Sequence, residues 1–261
     1  MKRNDYFEKT RAGLKKAFAQ KDLPIIQAVR ALGDLESAKA LLDERTAEWM
    51  KLNFPEVEDT ALACIIASEF GDREEIEFTR LTELVGEEKA TQTMTAAQNS
   101  FGAEFDLRDK KALLVLARNG AALGETRKEL EEYLQKQSET VLKNLTCLID
   151  ALTAARLVAR AGGLERLAKM PASTIQVLGA ERALFKHLRK GTPSPKHGII
   201  FQSTLIRNAQ ATKRGKIARA LAAKLAIAAK ADFYSKHAIG EKLKKDLDAR
   251  IKAIKKGDAP E

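Results

Sequence analysis

Apolar residues recur at helical spacing along almost the whole chain, and only six prolines interrupt it. The helix-favouring residues Ala, Leu, Lys and Glu are abundant throughout. The spacing predicts helices over residues 6–20 and 25–32, and a third helix that begins at Asp34 or Ser37 and ends at Phe54-Pro55. The apolar stripe expected on this third helix consists of Leu35, Ala38, Leu41, Leu42, Trp49 and Leu52. The pattern therefore predicts an all-α fold.

Between Leu113 and Leu148 the apolar positions advance in alternating steps of three and four residues, which is typical of a coiled coil. A helix over residues 107–146 is roughly 60 Å long at ~1.5 Å per residue, and it cannot bury such a stripe alone. We expect an earlier helix to fold back against it as an antiparallel hairpin. The alternative is an ordinary core helix, although helices of this length are uncommon in compact domains. Gly120 makes the repeat imperfect.

The portion after Asp150 predicts shorter elements. Gly162-Gly163 is a helix stop, and residues 190–198, which contain two prolines and two glycines, form the clearest loop. Residues 199–201 are predicted to be a short extended piece. A long basic helix follows over 213–233, and a charged amphipathic helix over 241–256.

Charge is unevenly distributed along the chain. Residues 1–150 carry a net charge of −6, from 22 Lys+Arg and 28 Asp+Glu, whereas residues 151–237 carry +14, from 17 Lys+Arg and only 3 acids. Residues 238–261 add +2, which gives +10 for the chain. A concentrated basic segment is typical of proteins that bind polyanions; the alternative is a set of basic faces that merely solvates a helical domain. Only 5% of residues are aromatic, which favours recognition of RNA shape and backbone over base stacking.

The sequence contains no recognisable catalytic set. Its three histidines lie among basic residues, and it has no phosphate-binding glycine loop and no Cys/His metal spacing. No apolar run approaches the ~18 residues that a membrane span needs, and Met1 leads into a charged pattern rather than a signal peptide. Cys64 and Cys147 lie in apolar patterns, as free thiols do in a reducing cytosol. The sequence thus predicts a cytoplasmic protein that is not an enzyme, needs no metal or cofactor and has no membrane partner.

Three segments carry a more specific resemblance. Residues 162–185 have the sequence GGLERLAKMPASTIQVLGAERALF, which resembles the signature of the Nop domain. Residues 195–202 (PKHGIIFQ) and 214–224 (RGKIARALAAK) continue the match in the same order. Upstream, residues 22–32 and 49–56 are similar to the linker and first helices of archaeal Nop core proteins. The chain therefore resembles the Nop-domain family of box C/D small ribonucleoproteins along nearly its whole length.

The resemblance implies a long antiparallel coiled coil for self-association, followed by a globular helical Nop domain. It divides the chain into N-terminal linker helices (1–60), a coiled-coil region with its tip (61–150), and a Nop domain with a C-terminal helix (151–261). In this family the Nop domain recognises a kink-turn RNA together with its ribosomal-protein-like binder. Family members are scaffolds, without chemistry of their own, for particles in which fibrillarin methylates ribose 2′-hydroxyls. The RNA bound, and the choice between homodimer and heterodimer, are left open.

Matching the family motifs residue by residue implies a set of RNA-binding positions. Gly179 has two open interpretations, a helix bend or a close approach to RNA, since glycine permits both. At Arg182 the family motif has lysine, so the charge is kept. Lys213, Lys216 and Arg219 are expected to share one face of the basic helix. The complete set is Gly179, Ala180, Glu181, Arg182, Lys196, His197, Gln202, Lys213, Arg214, Lys216 and Arg219.

Two features depart from the family pattern. Archaeal members usually begin with a further domain that docks fibrillarin, whereas this sequence begins directly before the linker, so we do not expect direct docking of fibrillarin. Residues 208–212 stand where archaeal relatives often carry tryptophans. An alternative function follows from the first departure, namely a short Nop paralogue that assembles or competes with full-length Nop proteins without recruiting the methyltransferase.

Overall fold

The computed structural model describes residues 3–257, which within that range form helices and loops and no β-strand. This confirms the predicted all-α fold. The helices are α1 (Arg3–Phe18), α2 (Leu23–Asn53), α3 (Thr60–Glu69), α4 (Phe78–Val85), α5 (Glu87–Gln98), α6 (Leu107–Val141), α7 (Lys143–Thr146), α8 (Ala151–Ala161), α9 (Leu164–Lys169), α10 (Ala172–Val177), α11 (Glu181–Lys190), α12 (Thr204–Arg207), α13 (Arg214–Lys230) and α14 (Gly240–Lys256). A 3₁₀ turn covers Ile199–Gln202 and a π-helical turn covers Ala231–Ser235.

The chain divides into two compact units. The hairpin unit comprises Leu32–Leu130, and the basic unit comprises the residues up to Ala31 together with those from Glu131 onward. The hairpin unit has 12 Lys+Arg and 21 Asp+Glu, a net charge of −9, whereas the basic unit has 34 and 15, a net charge of +19. The three-part division predicted from the sequence stays a prediction.

In the hairpin unit, α2 and α6 run in opposite directions. Arg127 Nε lies 3.5 Å from Glu36 Oε1, and a Cβ added to Gly120 would lie 3.2 Å from Asp43 Oδ1. Residue numbers thus rise along one helix as they fall along the other, which confirms the predicted antiparallel hairpin. Gly120, the irregular position of the repeat, is buried where the two helices approach each other closely.

One prediction for α2 is wrong. It is a single helix of 31 residues with no break between 32 and 37. Gly33 costs a helix about 1 kcal/mol relative to alanine, but the buried stripe of the helix continues past it, with Leu32 and Met50 almost fully buried. Leu41 and Leu52 were predicted to be in that stripe, yet they are 60% and 62% exposed.

In the basic unit, α13 packs against α9, α10 and α14. Its apolar side chains at helical spacing, among them Ile217, Leu221 and Leu225, are fully buried. The N-terminal part of the chain joins this unit through Asp22, whose Oδ2 accepts a hydrogen bond of 2.6 Å from the backbone amide of Leu164 at the start of α9. The helix stop at Gly162 is confirmed, since this residue ends α8 with φ of 81°.

The end of α6 is attached to the same unit by two buried polar side chains. Asp232 accepts hydrogen bonds from the backbone amides of Asn144 (2.9 Å) and Leu145 (3.0 Å). Asn144 Oδ1 in turn accepts from the amides of Ile239 and Gly240, just before and at the start of α14. Burial raises the pKa of Asp232, and these hydrogen bonds oppose that shift. The pair therefore ties α7 to the π-helical turn and to the start of α14.

Candidate nucleic-acid interface

The predicted RNA-facing loop lies directly beside the end of α10. The backbone amide of Gly198 donates to Gln176 O at 2.9 Å, and that of Ile199 donates to Leu178 O at 2.8 Å. The side chain of Gln176 donates from Nε2 to Lys196 O at 2.8 Å. These three hydrogen bonds hold the C-terminal end of the 191–198 loop against α10. The extended piece predicted over 199–201 is wrong, because these residues curl into a 3₁₀ turn as soon as the loop has passed Leu178.

Gly179 and Gly198 permit this close approach. A Cβ added to Gly198 would lie 2.0 Å from Leu178 O, and one added to Gly179 would lie 2.6 Å from Ile199 Cγ1. Gly179 also has φ of 89°, in the left-handed region that favours glycine. Contacts within the protein thus require glycine at position 179, which favours the interpretation of Gly179 as a bend. Its contact with RNA stays a prediction.

Glu181 lies in an ion pair at the start of α11. Its Oε2 lies 2.5 Å from Arg160 Nη2 on α8, and its Oε1 accepts from the Gly179 amide at 2.8 Å. The hydrogen bond from Arg160, together with that from Gly179, lowers the pKa of Glu181 to about 2, although partial burial opposes the shift. Glu181 is therefore ionised, and Arg160 offsets its negative charge beside the predicted RNA face. Its neighbour Arg182 is exposed and Ala180 is half-buried.

His197, Phe201 and Arg214 form a stack on the other side of the loop. The rings of His197 and Phe201 are 4.4 Å apart and nearly parallel, and the guanidinium carbon of Arg214 lies 5.5 Å from the centre of the Phe201 ring. Arg214 also donates to the backbone oxygens of Ala209 (3.0 Å) and Arg207 (3.2 Å). Partial burial and the nearby Arg214 charge lower the pKa of His197. Arg214 thus holds the 207–209 segment and packs on Phe201, in addition to contributing charge.

The predicted cations of α13 do not all share one face. Lys216 and Arg219 line a cleft of about 430 Å³ together with Lys196 of the loop. Lys213 lies before the first turn of α13, and its Nζ donates to Lys255 O at 2.6 Å on α14. The expectation of a shared face is therefore wrong for Lys213, because it is not part of the helical turn that aligns the other two.

Gln202 is exposed, and its Oε1 accepts a hydrogen bond of 3.0 Å from Arg156 on α8. Arg156 and Arg160 are one helical turn apart, so α8 contacts two of the predicted RNA-binding residues, Gln202 and Glu181. Neither arginine was predicted as a site residue. The four-residue spacing on α8 is visible in the sequence, but its partners are set by how distant segments pack together.

Helix α11 presents an exposed amphipathic surface. Phe185 is 60% and Leu188 is 69% exposed, so neither side chain belongs to the core of the unit. Arg182, Lys186 and Arg189 are also exposed on this helix. Apolar and cationic side chains therefore lie next to each other directly after the turn at Gly179.

The profile of the Nop family, described as "snoRNA binding domain, fibrillarin", matches residues 31–253 of this chain. The chain belongs to the Nop family. The match includes all eleven predicted RNA-binding residues, which lie between Gly179 and Arg219, and it confirms the resemblance found in the sequence.

Similar proteins include archaeal and eukaryotic Nop family members. A NOP5 family protein of Methanocaldococcus jannaschii is 42% identical over 253 residues, which is 95% of this chain and 61% of the relative. Nucleolar protein 58 of Homo sapiens is 35% identical over 240 residues, which is 89% of this chain and 45% of the relative. This Nop family member thus spans about half to three-fifths of the length of these relatives.

A chain in the crystal structure of a fibrillarin/Nop5p complex has a similar fold, with a TM-score of 0.53 and 25% sequence identity. The similarity covers 97% of this chain and 80% of that one. In residues 3–257 of this Nop family member, no helix has both the length and the apolar character needed to cross a membrane. The same part of the chain has no group of three or more His, Cys, Asp or Glu residues that could hold a metal ion.

Proposed function

We propose that this Nop family member is a non-catalytic scaffold that recognises a kink-turn RNA together with its ribosomal-protein-like binder. The particle is a box C/D ribonucleoprotein that guides ribose 2′-O-methylation of RNA. The chain contributes binding surfaces, and the methyl transfer is done by a separate enzyme. Family membership and the charge of the basic unit support RNA binding as the general activity.

The exposed surface of α11 carries the more specific part of the proposal. An RNA helix alone is recognised chiefly through phosphate and sugar contacts, for which cations suffice. Exposed Phe185 and Leu188 need an apolar partner as well. A composite target, with an apolar protein surface next to RNA phosphates, fits both kinds of side chain on one helix.

We also propose that the hairpin unit mediates self-association. Antiparallel α2 and α6 form a long helical pair in a unit of net charge −9. We propose that this pair packs against the same pair of a second copy, so that one particle contains two copies of the chain. The unit's negative charge disfavours contact with RNA phosphates, so we assign RNA binding to the basic unit.

The expectation that fibrillarin does not dock directly on this chain stays a prediction. A pull-down of purified fibrillarin with the full chain checks it.

A gel-shift titration tests the proposal with a kink-turn RNA, alone and bound to its ribosomal-protein-like binder. We expect tighter binding to the protein–RNA complex than to either component. Phe185→Ala should weaken binding to the complex by about tenfold, as loss of a buried aromatic contact at an interface implies. Phe101→Ala is the matched control, since Phe101 is 84% exposed in the hairpin unit. Absence of wild-type binding under both conditions would overturn the proposal.

A further inference from the structure

We propose that the cleft between the 191–198 loop and the first turns of α13 holds the phosphate and sugar of one unpaired nucleotide of the bound RNA. This inference rests on the proposed function, in that RNA must first dock on this face of the basic unit. We call the site the cationic cleft. Its lining includes Gln176, Ser194, Lys196, Thr212, Lys216 and Arg219.

The size of the cationic cleft suits a single nucleotide. Its volume of about 430 Å³ lies within the range of roughly 300–1,000 Å³ typical of small-ligand sites. A smooth contact with an RNA backbone needs only scattered cations on a convex surface. A concave site between a loop and a helix is instead suited to a group that projects from the RNA.

The polar groups around the cationic cleft are predominantly hydrogen-bond donors. Lys196, Lys216 and Arg219 contribute positive charge, and within residues 3–257 no carboxylate lines the cleft. Phosphate oxygens accept hydrogen bonds from such groups, and arginine binds them in a planar, two-pronged geometry. The hydroxyls of Ser194 and Thr212 and the amide of Gln176 both donate and accept, as recognition of a ribose requires.

The loop side of the cleft is fixed before any ligand binds. Gln176 holds the Lys196 carbonyl at 2.8 Å, and the Gly198 amide donates to Gln176 O at 2.9 Å. The loop continues into His197 and its stack on Phe201, so the cleft is continuous with the predicted RNA face. This continuity favours RNA as the ligand over an acidic peptide.

Gly215 offers a test that leaves the charge unchanged. It lines the cleft, and a Cβ added there would lie 3.6 Å from Lys196 Cδ, an ordinary contact. Gly215→Met should therefore fold, and its longer side chain should occupy the cleft. Gly13→Met is the control, since Gly13 is exposed on α1 and an added Cβ there meets no atom within 4 Å, and it should bind like the wild type. The experiment uses the full chain and a kink-turn RNA bound to its ribosomal-protein-like binder. Each unpaired linkage of the RNA is replaced in turn by a neutral 2′-deoxy methylphosphonate, with the 2′-deoxy phosphodiester as control.

We expect one linkage at which the neutral replacement weakens wild-type binding by about tenfold, as loss of charge-assisted hydrogen bonds implies. Gly215→Met should weaken binding of the unmodified RNA by a similar factor, and the same replacement should then cost it nothing further. Additive losses, or a Gly215→Met variant that binds like Gly13→Met, would overturn the inference. Equal competition by a polyglutamate peptide for the wild-type cleft would also overturn it.

The two proposals fail in distinguishable ways. Suppose that the wild type does not bind the kink-turn complex but binds an oligouridylate of five nucleotides, and that Gly215→Met binds neither. The inference about the cleft is then supported and the proposed function is wrong. If the wild type and Gly215→Met bind the kink-turn complex equally, the proposed function stands and the cleft inference is wrong.

Discussion

Gly198 lies so close to Leu178 that no side chain fits between them, since even a Cβ would lie 2.0 Å from the carbonyl oxygen. The sequence identifies a glycine in a loop, which is compatible with a turn, a tight contact or an approach to RNA. The choice depends on a segment twenty residues away. The motif thus proposes which residues belong to the candidate site, but it does not predict the atoms that each one contacts within the protein.

The ion pair of Glu181 with Arg160 gives a prediction about pH. Because its pKa is lowered to about 2 in the folded protein, Glu181 stabilises the fold at pH values above the ordinary glutamate pKa of 4.5 and loses this effect as the pH falls toward 2. Glu181 is 36% and Arg160 is 54% exposed, so solvent screening limits the effect to about 1 kcal/mol.

Urea unfolding of the wild type and Glu181→Gln measures this effect. The wild type should be more stable at pH 7, and the difference should shrink at pH 3. Arg160→Gln removes the same ion pair and should show the same pH dependence. A difference in the free energy of unfolding that stays constant between pH 7 and pH 3 would contradict this explanation.

Helices α2 and α6 show how far the hydrophobic pattern predicts an element. Steps of three and four residues correctly predict a long α6. Its first turn is capped by Asp106, whose Oδ1 accepts from the backbone amides of Arg108 and Asp109. The apolar spacing does not identify the buried face of α2, since Leu41 and Leu52 fit the helical period but are exposed. The buried stripe depends on which face α6 covers, and that is a property of the pair.

Because α2 and α6 approach each other closely at Gly120, a larger side chain at this position should be destabilising. Gly120→Leu should destabilise the hairpin unit by about 2 kcal/mol, because its side chain must displace Asp43 or separate the helices. Ala122→Leu on the exposed face of α6 is the matched control. Thermal unfolding monitored by circular dichroism measures both. Equal melting temperatures for the two variants would show that the helices do not pack closely at Gly120.

The two compact units of the whole molecule differ more in net charge than the parts of the sequence before and after Asp150. A division at Asp150 gives −6 for the first part, whereas the compact hairpin unit carries −9 and the basic unit carries +19. The segregation itself could be predicted from residue counts. Its true boundary could not, because residues up to Ala31 join the basic unit through long-range contacts such as that of Asp22 with Leu164.

Under the proposed function, the basic face formed by the 191–198 loop and α13 binds the phosphates of a kink-turn RNA in complex with its protein binder. The most direct test of this binding is the salt dependence of the affinity of the wild type and of the triple variant Lys196→Glu, Lys216→Glu, Arg219→Glu. The control reverses three exposed cations of the hairpin unit, Lys51, Arg108 and Lys111. Each phosphate contact contributes about −0.7 to −0.9 to the slope of log K against log salt.

We predict that the wild type and the control share a steep slope, and that the triple variant has a slope shallower by about 2 to 3 and its largest loss of affinity at low salt. A triple variant with the affinity and slope of the wild type would show that this face does not bind the RNA phosphates.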